Sequence, residues 1–125
     1  DVKTVPHTMA LKEFRRAYPL GAATRVVGTR NDGRYAGLID VADAYASDGL
    51  DEAGTIEQLL RQREAMLHPA VQAVDAGVVF DHNNAEALVV VSDLSDPMVI
   101  GILTEAHLFR RYSQELEKAR ADLAQ

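Results

Sequence analysis

The chain has no cysteine among its 125 residues. Disulfide scaffolds, thiol nucleophiles and thiolate zinc sites are therefore excluded, and the composition fits a reducing compartment. Long apolar runs are missing too. The longest, Ala87–Val91 and 98–103, fall far short of the roughly 20 residues a membrane-spanning helix needs. Positive charge is scarce: thirteen Lys and Arg stand against nineteen Asp and Glu, for a net charge of −6. That balance argues against a nucleic-acid partner or an anionic membrane surface, both of which require clustered positive charge. The sequence opens on Asp1 with no signal peptide, and the expectation is a piece of a longer polypeptide.

What is present suits one folded domain. Hydrophobic residues make up 47% and charged residues 26%, and the length allows a real core without staples. The dominant feature is a repeat. AGLIDVADAY at 36–45 and IGILTEAHLF at 100–109 share one grammar, an apolar strand containing glycine that runs into a helix. With Gly37 laid over Gly101 the copies are 64 residues apart, and 25–45 lies over 89–109 without a gap. RVVGTR reads as a strand, NDG as a turn in which Gly33 tolerates positive φ, RYAGLI as a second strand and DVADAYA as a helix start. The second copy reads ALVVVSD, LSDP, MVIGIL and TEAHLF.

Upstream of each hairpin lies a helical pattern. Thr8 can cap a helix with Ala10, Phe14, Ala17 and Tyr18 on one face, ended by Pro19 and Gly21. In the second copy Val71, Val74 and Val78 mark a stripe that stops near Asn83 and Asn84, and the match here needs a gap of about two residues. Short strands are predicted at 2–5 and 65–67. The fold class expected is α+β, two pseudo-symmetric β-α-β-β-α repeats packed sheet to sheet. Residues 1–47 form the first repeat, 48–64 a linker and 65–125 the second repeat with an extended C-terminal helix. The stretch 47–54 is acidic and contains glycine, and Thr55 with Gln58 can form a capping box over Ile56, Leu59 and Leu60. In the last helix Phe109, Tyr112, Leu116, Ala119 and Leu123 recur at steps of three and four. That stripe either docks on the chain's own sheet or meets a partner subunit, which makes Phe109, Tyr112 and Leu116 a candidate dimer interface.

Two such units in tandem resemble the paired cystathionine β-synthase (CBS) domain, or Bateman module, over nearly the whole chain. The resemblance implies a ligand motif of apolar-Gly-apolar-apolar-Thr/Ser, two residues, then Asp, with the hydroxyl and helix start facing phosphate and the aspartate facing ribose. In this sequence the motif is divided between the copies. Gly101 and Thr104 keep the phosphate end but His107 stands in the ribose position; Gly37 and Asp43 keep the ribose end but Asp40 replaces the hydroxyl. The implied ligands are ATP, ADP or AMP, and the implied nucleotide-binding residues are Gly37, Asp40, Asp43, Gly101, Thr104 and His107. The residues also admit structural roles: Asp40 and Thr104 as helix caps, Asp43 and His107 as solvent-facing residues of a first turn.

A narrower resemblance, strongest in ILTEAHLFRRYSQELE, is to the cytosolic C-terminal CBS pair of bacterial chloride channel (ClC) family proteins, where histidine at the His107 position is normal. It implies a regulatory or dimer-stabilising appendage of a homodimeric membrane transport protein, on the cytoplasmic face of the bacterial inner membrane. Its partners would be that protein's own membrane domain and a second copy, with no nucleic acid. No catalytic or metal site is expected. His7, His68, His82 and His107 sit in four segments without the spacing that puts two imidazoles on one helix face. Thr104, Glu105 and His107 lack any nucleophile-elbow context. The pairs Arg15-Arg16 and Arg110-Arg111 read as solvated helix faces balanced by Glu13, Glu115 and Glu117.

Overall fold

The structure, a computed structural model, describes residues 2–46 and 48–124; Asp1, Gln125 and Ser47, the first residue of the acidic stretch, lie outside it. Two three-stranded sheets are built the same way. The first contains β1 (Thr4–Pro6), β2 (Arg25–Thr29) and β3 (Tyr35–Asp40), the second β4 (Met66–Leu67), β5 (Ala87–Val91) and β6 (Val99–Thr104), each ordered as named. In each, the short first strand runs parallel to the second and the hairpin is antiparallel. Helices α1 (Leu11–Ala17) and α2 (Ala73–Asn83) connect the first strand to the second. The second sheet ends in α3 (Glu105–Leu123), whereas the first ends in a one-turn 3-10 helix, Val41–Tyr45.

Strand alternation divides the core into three parts. Val26 and Ile39 face Leu11 and Phe14 of α1, and Leu88 and Leu103 face Ala73, Ala76 and Phe80 of α2. The opposite faces, Val27, Tyr35 and Leu38 on one sheet and Ala87, Val89 and Val91 on the other, meet in a shared middle layer. This is the sheet-to-sheet packing the repeat predicts. Polar contacts fasten the seam: the Tyr35 amide donates to the Pro97 carbonyl at 2.8 Å, and its hydroxyl to the Gln62 carbonyl at 2.5 Å.

The repeat register differs from the gapless reading. Thr4 pairs with Val27 as Met66 pairs with Val89, and Leu11 and Phe14 of α1 match Ala73 and Ala76 of α2, all at a spacing of 62. Val27 then pairs with Leu38 and Val89 with Ile102, so the spacing becomes 64 only at the third strand. The two extra residues lie in the second hairpin's turn, 92–98 against 30–34, and not upstream of it. A slip of two keeps every strand residue on its proper face, and Val-rich RVVGT slides over ALVVV without cost to the pattern.

Other local expectations are also corrected. Helix α1 is capped at Ala10 without a side-chain bond, so Thr8 is not its cap. On α2 the buried stripe is Ala73, Ala76 and Phe80, while Val74 and Val78 are 59% and 63% exposed. The Thr55 hydroxyl accepts from the Glu57 amide, and the Gln58 side chain donates to the Thr55 carbonyl, so the reciprocal capping box does not form.

Segment 48–64 is more than a tether. It sends Ile56, Leu59 and Leu60 into the first core. Arg61 pairs with Leu38 through two backbone bonds of 2.8 Å, which closes the outer edge of β3. A Cβ on Gly37 would stand 2.8 Å from that of Leu60 and 3.1 Å from the Arg61 carbonyl, whereas one on Gly101 meets nothing within 4 Å. Gly37→Ala should therefore cost roughly 1–3 kcal/mol in denaturant unfolding, and Gly101→Ala close to none. Equal effects would contradict the packing.

Candidate functional site

The six residues implied as a nucleotide site fall at two different corners. At the first, β3 ends on Asp40, which makes no side-chain cap; its carboxylate instead lies between Arg25 Nε at 3.5 Å and Arg61 Nη1 at 3.6 Å. Asp43 faces Arg61 Nε at 2.8 Å. Arg25 also donates to Glu86 of the second repeat at 3.1 Å. Gly37 lies beneath Leu60 and Arg61, so its missing side chain admits the chain's own linker at this point. At the second corner Thr104 caps α3, its hydroxyl accepting from the His107 amide at 3.2 Å, a bond worth about 1 kcal/mol. His107 is exposed, with Nδ1 at 3.3 Å from Arg110 Nη2. Gly101 is open to solvent on its helix-facing side.

A cleft of about 250 Å³ opens between the repeats at the first corner, with Arg25, Leu38, Asp40, Arg61, Gln62 and Glu86 among its walls. Neither Thr104 nor His107 reaches it. Its two arginines are already answered by carboxylates, and these ion pairs are partly exposed, so they add little stability while neutralising the walls. Arg25, Arg61, Gln62 and Glu86 are absent from the sequence reading. Nothing local marks them, because their convergence depends on the linker returning along β3 and on packing between repeats.

Two further features bear on function. The expected stripe on α3 does not dock on the chain's own sheet. Leu108 alone of this helix is buried, against α2, while Phe109, Tyr112 and Leu116 are 62%, 40% and 43% exposed. Phe109 and Tyr112 line, with Val74 and Val78, an apolar groove of about 260 Å³ along α2 and α3. The matching positions on α1 are Lys12, Arg15 and Arg16, where α2 has Val74, Gly77 and Val78. Arg15 is not a solvated charge balanced by Glu13. It donates to the Ala44 carbonyl at 2.7 Å and forms a two-pronged pair with Glu52.

The second feature is the ring of partners around Glu57: His7 Nδ1 at 3.0 Å, Arg63 Nη1 at 3.1 Å and Arg30 Nη1 at 3.5 Å. Burial acts to raise the Glu57 carboxyl, but the His7 bond and the two guanidiniums outweigh it and hold the group below its ordinary 4.5. Among the described residues no three His, Asp or Glu side chains are grouped to hold a metal ion, and no helix is long and apolar enough to cross a membrane.

This architecture is the fold of a tandem CBS pair. It superimposes on a CBS domain pair/ACT domain protein from Thermotoga maritima with a TM-score of 0.69 at 15% identity, over 93% of this chain and 92% of that one. The soluble part of a magnesium transporter matches at 0.68 and 14% identity, over 91% of this chain but 44% of its own. A CBS domain pair solved with 5′-methylthioadenosine and S-adenosyl-L-methionine matches at 0.68 and 18% identity, over 92% and 90%. No protein-family model and no curated protein matches the sequence.

The Glu57 cluster gives a pH prediction. A carboxyl held low in the fold stabilises it fully above 4.5, and that contribution disappears as pH falls through the depressed folded value. Glu57→Gln should thus lower the melting temperature at pH 7 and approach the parent in acid below that range. A constant difference across the titration would contradict the assignment.

Proposed function

We propose that the chain is a non-catalytic regulatory and dimer-forming CBS pair, divided as 1–47, 48–64 and 65–125, from a chloride channel family membrane protein. It works on the cytoplasmic face of the bacterial inner membrane, joined to a membrane transport domain. The observation that carries the assembly reading is the difference between the two helical faces. Val74, Val78, Phe109, Tyr112 and Leu116 leave α2 and α3 apolar and exposed, while α1 presents Lys12 and Arg16 at the matching places. One apolar patch per protomer suits an isologous contact, in which α2 and α3 of two copies form four helices around a common axis. The ClC reading draws on the wording of 99–123, and the occurrence of this fold as the soluble part of a magnesium transporter is consistent with it. Regulation would act through packing: a state of the membrane domain that favours one arrangement of the pair is stabilised by it.

A second reading, sensing of an adenosine compound, is supported by the cleft beside Asp40 and by the CBS pair solved with 5′-methylthioadenosine and S-adenosyl-L-methionine. The wall chemistry disfavours phosphates there, because the Asp40 carboxylate occupies the space between Arg25 and Arg61.

Two measurements test these readings. The chain should sediment as a dimer at about 10 μM, and Val78→Asp, a change at an exposed position, should yield folded monomer. A monomeric parent would overturn the assembly claim. Millimolar ATP, ADP or AMP should leave the parent's melting temperature unchanged, since a ligand selective for the native state must raise it. In Asp40→Thr, which removes the carboxylate between the two arginines, ATP should raise it; a clear shift in the parent would instead establish nucleotide sensing.

A further inference from the structure

The apolar stripe of α3 continues past the groove it shares with α2. That groove takes in Leu108, Phe109 and Tyr112 of α3 and ends there. From 109 to 124 every residue is exposed, and Leu116 and Leu123 stand 43% and 86% in solvent. Residues 113–123 thus form a helical stretch without one buried side chain, and helices shorter than about 12–15 residues are marginal in water without packing. The stretch is placed to gain from a second helix, and its pattern says of what kind. Phe109, Tyr112, Leu116, Ala119 and Leu123 are spaced three, four, three and four. This is the 3.5-residue repeat of a coiled coil, with Phe109, Leu116 and Leu123 at position a and Tyr112 and Ala119 at d. The outward positions hold Arg110, Arg111, Gln114, Glu117 and Lys118.

The charges beside the seam give it a direction. Glu115 falls at g and Arg120 at e, five residues later. In parallel helices each g side chain faces the e side chain five positions on in the other copy, so Glu115 meets Arg120 on both sides of the seam. In antiparallel helices g faces g and e faces e. The g positions are Leu108, Glu115 and Asp122, the e positions Ala106, Ser113 and Arg120. Every charged contact in that arrangement is between like signs. Among the described residues no ion pair within the chain occupies Glu115 or Arg120. We propose that residues 109–123 of α3 pair in parallel with the same residues of a second copy, as a short coiled coil whose direction Glu115 and Arg120 select. The inference rests on the assembly reading above and goes beyond it, since the two-fold axis then runs along α3 and not across it. Two heptads hold two chains only in company with another contact, and the groove with Val74 and Val78 adjoins them. The solvated ion pairs add little affinity; their part is to choose between orientations.

Orientation is read in the 125-residue chain with single spin labels at His107→Cys, Gln114→Cys and Ala121→Cys. All three lie at f, one heptad apart and away from the seam. Parallel pairing predicts nearly equal intermolecular distances at the three sites. Antiparallel pairing lengthens at least one, because each residue of offset from the crossing point parts the labels by about 3 Å along the axis. Unequal distances in a dimer would overturn the proposal and leave the assembly reading standing, whereas a monomeric parent would overturn both. Charge reversal tests the selecting pair. At low salt Arg120→Glu should weaken dimerisation in sedimentation on the order of ten-fold, and Glu115→Arg should do the same. The chain carrying both changes should return to within about three-fold of the parent. A single reversal without effect, or a loss that the double reversal retains, would remove Glu115 and Arg120 from the role.

Discussion

The structure depends on one apolar seam, where Val27, Tyr35 and Leu38 of the first sheet pack against Ala87, Val89 and Val91 of the second. Neither sheet of three short strands could stand alone, because each would expose a hydrophobic face as large as the one its helix covers. Burying both faces against each other makes the two repeats one cooperative body. It also fixes what lies around the seam: the cleft with Arg25, Asp40 and Arg61, and the linker whose Gln62 carbonyl receives the buried Tyr35 hydroxyl. Burial pushes that phenol's ionisation upward, which keeps it a donor throughout the ordinary pH range.

Within this frame the repeats have diverged in complementary ways. The first has a short 3-10 turn after β3, so its chain turns back and closes its own sheet edge with Leu60 and Arg61. The second continues into a helix of 19 residues, which leaves its edge open but lengthens an apolar helical face. One repeat is finished internally; the other presents surfaces. Thr104 and Asp40 express the same division, one spent on capping α3 and the other on holding two arginines.

Much of the architecture was legible because strand and helix periods are written plainly. The apolar strands RVVGT and ALVVV, the turn at 31–33 and the stripe on the last helix all survive in the structure. The repeat spacing was misread since an even slip between valine-rich strands changes no face. The α2 stripe was misread because Val74 and Val78 point outward while Ala73 and Ala76 point inward, the reverse of what hydrophobicity suggests. That inversion is itself informative, as alanine lets α2 approach the sheet and the displaced valines mark a surface. The cleft walls were not legible at all. Arg61 and Glu86 meet the first corner only through the linker's return and the inter-sheet packing, neither of which is encoded in a local pattern.

The central claim, that two copies meet through α2 and α3 of the second repeat, is tested most directly by a distance. The absence of cysteine allows single labelling sites to be introduced without background. Spin labels at Asp75→Cys on α2 should report an intermolecular distance within roughly 30 Å, the 8–10 Å spacing of packed helices plus two label arms. Labels at Lys12→Cys on α1 should lie clearly farther apart. An absent intermolecular signal at Asp75, or a shorter distance at Lys12, would contradict the account.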